Sequence, residues 1–259
     1  MFNEELIAAK VASRNAGKIL MDFFLKDNKE IMMKGVDNPV TIADKKADQY
    51  LYQFISGEFP DHGWLSEETV DTKERLSKDS VWIVDPLDGT KEFIDGVPHF
   101  SVSVAFVNKG EPVVGVIYNP AKDEMFSCQK GKGIHYNGTK MKISDKRSLV
   151  ESSIVVSRSE VKRKEWEPYR NNFNSIDPIG SVAYKLALVS AGKYDIFATI
   201  APKNEWDICA GDCLVNEAGG VFKTINDKKI IYNQKKTLVT DTIIATNSTL
   251  FEGVSDLLF

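Results

Sequence analysis

Residues 81–90 constrain this chain more than any other segment. Val81-Trp82-Ile83-Val84 is a short, wholly apolar run that reads as a buried strand stopping at Asp85-Pro86. It delivers Asp85 and Asp88 to its end, with Pro86 between them and Gly89-Thr90 just behind. Pro86 has a fixed φ and no N–H, so it stiffens the turn between the two carboxylates. Gly89 lets the backbone approach a ligand closely. Thr90 and the N–H groups after it open a helix that seats an anion. Carboxylates for hard cations beside N–H groups for phosphate form the layout of metal-assisted phosphoryl transfer.

Composition narrows the classes. With 259 residues, 42% of them hydrophobic, the chain can bury a sizeable core without disulfide staples, in one large domain or two that share an interface. Its 33 basic and 37 acidic residues leave a net charge of -4, which lacks the footprint of a protein that binds a nucleic-acid polymer. A small phosphorylated substrate stays open, because a bound metal inverts local charge. No apolar run approaches the ~18–20 residues of a membrane span. Glu4 and Glu5 stand where a signal peptide would be basic, so none is expected. Cys128, Cys209 and Cys213 are too few and too odd in number for a disulfide framework, so a reducing, cytoplasmic compartment is expected. Cys209 and Cys213 share a helix face and read as buried small hydrophobes.

Periodicity gives a coarse map. A helix is expected over 5–25, with Ala8, Ala12, Ala16, Ile19 and Phe23 as its apolar stripe. Asn38-Pro39 breaks the chain, and Thr41 can cap a helix from Ala43 to Ser56. Strands then follow at 101–107, 113–118, 125–128 and 134–136, joined by short turns as an antiparallel meander. Composition shifts near Asp145 to Ser152. Beyond it come a strand at 154–156, a polar stretch over 157–174, a helix from Val182 to Ala191 and a strand at 195–200. A helix from Asp207 to Ala218 stops at Gly219-Gly220. Strands at 221–222, 230–232 and 243–245 precede a last helix opened by Ser248 or Thr249. The chain so divides into a half over 1–148 with an antiparallel sheet and a half over 149–259 with alternating α and β elements. His62, His99 and His135 have no metal spacing and read as structural or surface residues.

Two further acidic features accompany Asp85 and Asp88. Glu67-Glu68 follows the apolar Trp64-Leu65, and Asp207 begins a glycine-terminated helix, where alone it reads as an N-cap. Asp85-Pro86-Leu87-Asp88-Gly89-Thr90, with Trp206-Asp207-Ile208-Cys209-Ala210-Gly211 and Glu217-Ala218-Gly219-Gly220, resembles the paired signature motifs of the inositol monophosphatase superfamily. The resemblance covers nearly the whole chain. It implies an α+β fold in alternating α-β-α-β-α layers, of the inositol monophosphatase and fructose-1,6-bisphosphatase type. It also implies a lithium-sensitive phosphatase with two or three Mg2+ ions, and a homodimer whose interface no sequence stripe locates.

Carried over by position, the resemblance makes Glu67, Asp85, Asp88, Asp207 and the Leu87 carbonyl metal ligands. Thr41-Ile42-Ala43-Asp44 matches the family's threonine-x-x-aspartate, so Asp44 would pair with Thr90 and, with Glu67, serve the attacking water. Gly89 and Thr90 N–H groups would hold phosphate oxygens, with Asp88 and Asp207 also near the substrate. Ser66 departs from the glycine commoner before the paired glutamates.

Four details resemble the 3'(2'),5'-bisphosphate nucleotidase branch, which acts on adenosine 3',5'-bisphosphate. They are Lys91-Glu92-Phe93-Ile94, Ser157-Arg158-Ser159, Gly180-Ser181 with Lys185, and Pro202-Lys203 before Trp206-Asp207. Lys91, Ser157, Ser181 and Lys185 become expected substrate contacts, although Lys185 also reads as a solvated helix lysine, and Ser157 and Ser181 as caps or turns. Ile200 stands where the inositol branch has a substrate-binding glutamate. Two departures oppose this. Glu160 replaces the histidine that commonly follows serine-arginine-serine, and Asp95-Gly96-Val97-Pro98-His99-Phe100 looks more like the inositol branch. Inositol monophosphatase, fructose-1,6-bisphosphatase and a catalytically silent nucleotide sensor therefore stay as alternatives.

Overall fold

A computed structural model describes residues 2–26, 31–35 and 38–258. The first part of the chain forms α1 (Asn3–Met21), β1 (Met32–Gly35), β2 (Asn38–Val40) and α2 (Ile42–Glu58). Then come β3 (Gly63–Ser66), β4 (Ser80–Asp88), α3 (Thr90–Ile94), β5 (Ser101–Asn108), β6 (Glu111–Asn119), β7 (Glu124–Gln129), β8 (Gly133–Tyr136) and β9 (Thr139–Met141). The rest forms β10 (Ser153–Ser157), α4 (Arg158–Lys162), β11 (Ser175–Ile179), α5 (Val182–Ser190), β12 (Ile196–Thr199) and β13 (Lys203–Asn204). It ends with α6 (Glu205–Glu217), β14 (Val221–Thr224), β15 (Leu238–Val239), β16 (Ile243–Thr246) and α7 (Ser248–Leu258).

Two large sheets carry the architecture. One has seven strands in the order β3-β4-β5-β6-β7-β8-β9, antiparallel except for the parallel β3–β4 pair. The other has five in the order β11-β10-β12-β16-β14, parallel at β10 and antiparallel around β16. Side-chain alternation explains the layers. On β4, Trp82 and Val84 pack with Ala12, Ala16 and Leu20 of α1 and Leu51 of α2, while Val81 and Ile83 face α5 and α6. The run is apolar throughout because both its faces are covered. α5 and α6 bury their other side against Val155, Phe197 and Ala245 of the second sheet. Leu250 and Val254 of α7 close that sheet's outer face against Ile154 and Ile244. The result is the expected α-β-α-β-α stack, and no helix of the described residues is long and apolar enough to cross a membrane.

Several local expectations need correction. β4 does not stop at Asp85 but runs to Asp88, through a register shift between those residues that accommodates Pro86. Ala8, Ala12 and Ala16 are buried in α1 as expected, but Ala9 and Leu20 complete that apolar face, while Ile19 is half-buried and Phe23, also half-buried, lies beyond the helix end. Residues 230–232 form a loop. Tyr232 accounts for their apolar character: it is buried, donates to Asp212 Oδ2 at 2.8 Å, and its N–H reaches the Gly110 carbonyl. α7 starts at Ser248 as expected, but the cap is Asn247, which accepts from the N–H groups of Thr249 and Leu250. The polar stretch 157–174 hides α4 and two buried aromatics, Trp166 and Phe173. His62 is structural, accepting from Trp82 Nε1 at 3.2 Å and stacked on Phe59.

Candidate active site

Strand register brings the acids together. β3 runs beside β4 with Ser66 opposite Val84, and Glu67 N donates to the Val84 carbonyl at 3.3 Å. Glu67 is thereby set next to Asp85. A clamp from α2 holds the end of β3: Ser66 Oγ and Thr69 Oγ1 donate to Asp48 at 2.5 and 2.7 Å. The sequence signal for Asp48 is a second carboxylate, one turn after Asp44, on the face of α2 that carries Leu51 and Ile55. Asp207 arrives from α6, where it is the third helical residue and not the N-cap; its Oδ2 accepts from Asn204 N at 2.9 Å. Carboxylate oxygens of Glu67, Asp85 and Asp207 lie within 4.8 Å of one another. Asp85 Oδ1 also accepts from Leu87 N at 3.0 Å, across Pro86.

Asp88 is held from the second half of the chain. Its Oδ2 accepts from Ser181 Oγ and from Ala183 N, each at 2.6 Å. Ser181 takes φ 62, an unfavourable region for a non-glycine residue, at the cap of α5. Lys185 supports that turn: it is 2% exposed and its Nζ donates to the Ile179 and Ser181 carbonyls at 3.0 and 2.9 Å. Two of three ammonium donors are thus used inside the protein, and burial lowers Lys185 to about 8.

The electrostatics suit a cation. Burial first, then repulsion from Glu67, Asp88 and Asp207, pushes Asp85 well above the ordinary carboxylate range. Burial, with Asp88 and Glu67 adding repulsion, pushes Asp207 up to about 8. Asp88 rises only to about 6, because Ser181, Lys185 and Ala183 favour its charged form against burial. A divalent ion offsets such repulsion, and an all-oxygen donor set fits a hard one such as Mg2+.

Behind this cluster, Thr90 Oγ1 lies 3.1 Å from Asp44 Oδ1 and 3.2 Å from the Leu87 carbonyl. Asp44 is the third residue of α2 in a capping box, and its Oδ2 accepts from Thr41 N and Thr41 Oγ1 at 2.8 and 2.5 Å. Burial raises its pKa against those bonds. Gly89 precedes Thr90 at φ 97, and a Cβ there would stand 2.9 Å from the His99 carbonyl.

A pocket of about 240 Å³ opens over these groups. Glu67, Asp85, Leu87, Asp88 and Asp207 line it with Gly89, Thr90 and Lys91. Ser157, Ser181 and Lys185 line it too, so among the expected site residues only Asp44 lies outside, behind Thr90. Glu92, Arg158, Ser159, Gly180 and Lys203 line it as well, with Ile179 and Val182; the first five lie in the four segments that resemble the nucleotidase branch. Ser157 stands at the N-cap of α4 without closing a cap bond. Glu160 points away from the pocket. It is fully buried and accepts from Trp166 Nε1, Thr199 Oγ1, Ile200 N and Ala201 N.

Residues 3–256 match the model of the inositol monophosphatase family. A Nus factor SuhB from Pasteurella multocida is 33% identical over 233 residues, 86% of each chain. A fructose-1,6-bisphosphatase/inositol-1-monophosphatase from Aquifex aeolicus is 34% identical over 230 residues, again 86% of each. The solved structure of a Thermotoga maritima IMPase is 31% identical, with a TM-score of 0.87 over 98% of this chain and 96% of that one.

Proposed function

The chain belongs to the inositol monophosphatase family, whose members are metal-dependent phosphomonoesterases, and from that premise we propose that it removes the 3'-phosphate of adenosine 3',5'-bisphosphate. The observation that carries this substrate is the cationic wall of the pocket. Arg158, Lys185 and Lys203 stand there with Lys91, and Ile200, at the position where the inositol branch carries a substrate-binding glutamate, is apolar. Such a wall suits a second phosphate better than a neutral polyol.

In this reading Glu67, Asp85, Asp88, Asp207 and the Leu87 carbonyl hold two or three Mg2+ ions, the metal the family generally uses. When bound, they supply Lewis acidity to the phosphate and to the attacking water. The chain's own groups orient the reaction. The N–H groups of Gly89 and Thr90 face phosphate oxygens at the start of α3. Thr90 Oγ1 accepts a proton of the water while its own proton moves to Asp44 Oδ1, and Thr41 fixes Asp44 for that role. Ser181 and Lys185 keep Asp88 in place. The Asp44–Thr90 bond argues against a silent sensor, which needs no pair to orient water.

The name of the Aquifex aeolicus relative favours a second reading, fructose 1,6-bisphosphate or inositol 1-phosphate on the same site. Phosphate release with Mg2+ on all three esters, with Asp207→Asn as control, separates the two. Preference for the nucleotide supports the proposal, and preference for either sugar phosphate replaces it by the second reading.

A further inference from the structure

Arg158 opens α4, and its Nη1 donates to Glu92 Oε1 on α3 at 3.1 Å. Thr90 is the first residue of α3, and both Glu92 and Arg158 line the pocket. Glu92 is 13% exposed in its side chain and Arg158 is 38%. Gly180 makes the seat for Glu92: a Cβ on residue 180 would lie 2.2 Å from Glu92 Cγ and 2.3 Å from Cδ.

Three of the four wall cations differ in what holds them. Lys185 Nζ donates to the carbonyls of Ile179 and Ser181, and Lys203 Nζ to those of Ala201 and Pro202. Those acceptors are backbone. Arg158 is held by a side-chain carboxylate instead, in an ion pair whose arginine side chain stays 38% exposed. A carboxylate at the mouth of a phosphate site also repels its substrate unless a cation neutralises it. A phosphate dianion carries more charge than Glu92 and matches the guanidinium fork with two parallel bonds. Building on the bisphosphate reading above, we propose that Arg158 is the specificity residue for the second phosphate of a bisphosphorylated substrate. Glu92 is the placeholder which that phosphate displaces. A substrate with one phosphate leaves the Glu92–Arg158 pair closed.

The test compares KM for members of two pairs, each with and without the second phosphate: adenosine 3',5'-bisphosphate against adenosine 3'-monophosphate, and fructose 1,6-bisphosphate against fructose 1-phosphate. In Arg158→Gln, KM for the bisphosphorylated member rises about 10-fold or more, the equivalent of one charge-assisted contact. KM for the monophosphate rises several-fold less, and kcat follows neither change. Glu92→Gln lowers KM for the bisphosphorylated member, and Arg158→Lys recovers part of the loss. Equal changes in both members of a pair, or a wild-type enzyme indifferent to the second phosphate in both pairs, overturn the assignment. Wild-type turnover of the sugar pair alone overturns the nucleotide reading and leaves the role of Arg158 to be decided on that pair.

Discussion

Thr90 Oγ1 and Asp44 Oδ1 lie 3.1 Å apart although 46 residues separate them in the chain. Each stands at a helix start, Thr90 first in α3 and Asp44 third in α2. The capping box that begins α2 therefore also aims the carboxylate behind the phosphate seat. One residue serves the helix with Oδ2 and the hydroxyl with Oδ1.

Asp44→Asn and Thr90→Ala are expected to lower kcat by about 10²–10⁴-fold each, the range of a lost general acid or base. Because the two act as a unit, the double variant is expected to be little worse than either single one. Steady-state kinetics at saturating Mg2+ read this directly. Near-normal kcat in Asp44→Asn would remove the proton relay.

Mg2+ is expected to raise the melting temperature, and more at pH 8 than at pH 5. Burial pushes Asp88 up to about 6 and Asp207 up to about 8, so at pH 5 a cation must displace their protons. For the metal-free protein the sign follows from the same shifts. Both folded pKa values exceed the ordinary 3.8, so these groups contribute stability below about 4 that is lost as pH rises through 6 to 8. Calorimetry with EDTA and with Mg2+ checks both. An equal gain at the two pH values would place Mg2+ elsewhere.

Asp212 isolates a titration away from the metal cluster. Burial, opposed by bonds from Tyr232 and Asn216, raises it to about 7. Its stabilising contribution is present below the ordinary 3.8 and lost as pH rises through 7. Asp212→Asn removes that loss, so the variant is expected to gain about 5 °C on wild type between pH 5 and pH 9. Parallel melting curves across that range would assign the pH dependence to other groups.

Glu160→Gln tests the residue whose charge looked misplaced for an anionic substrate. Its two oxygens serve four donors from Trp166, Thr199, Ile200 and Ala201. Glutamine keeps one acceptor oxygen, so a stability loss of about 1–3 kcal/mol is expected. Turnover per folded molecule should change little. A large rise in KM at unchanged melting temperature would return Glu160 to the pocket.

Local chemistry made much of this legible in advance. The apolar run into Asp85 and Asp88, the Thr41 cap and the glycine stops follow from strand burial, capping and positive φ, which short stretches of chain express by themselves. Burial without pairing is where such local patterns fail. Residues 230–232 looked like a strand because Tyr232 is apolar and buried, and burial under a distant loop leaves the same trace as sheet pairing.

The sequence by itself determined the chemistry on offer: hard oxygen ligands at a strand end, a hydroxyl beside them, cations further on. Tertiary structure decided which of those groups share a site and which serve the frame. Parallel β3–β4 register sets Glu67 next to Asp85, and α6 brings in Asp207 from the other half of the chain. Packing turned Glu160 inward and gave Ser181 and two donors of Lys185 to the support of Asp88. It left Arg158 on a side-chain carboxylate, that of Glu92. The physical reason is that a side chain's partners depend on distances fixed by register and layer packing between remote segments, which no local pattern encodes.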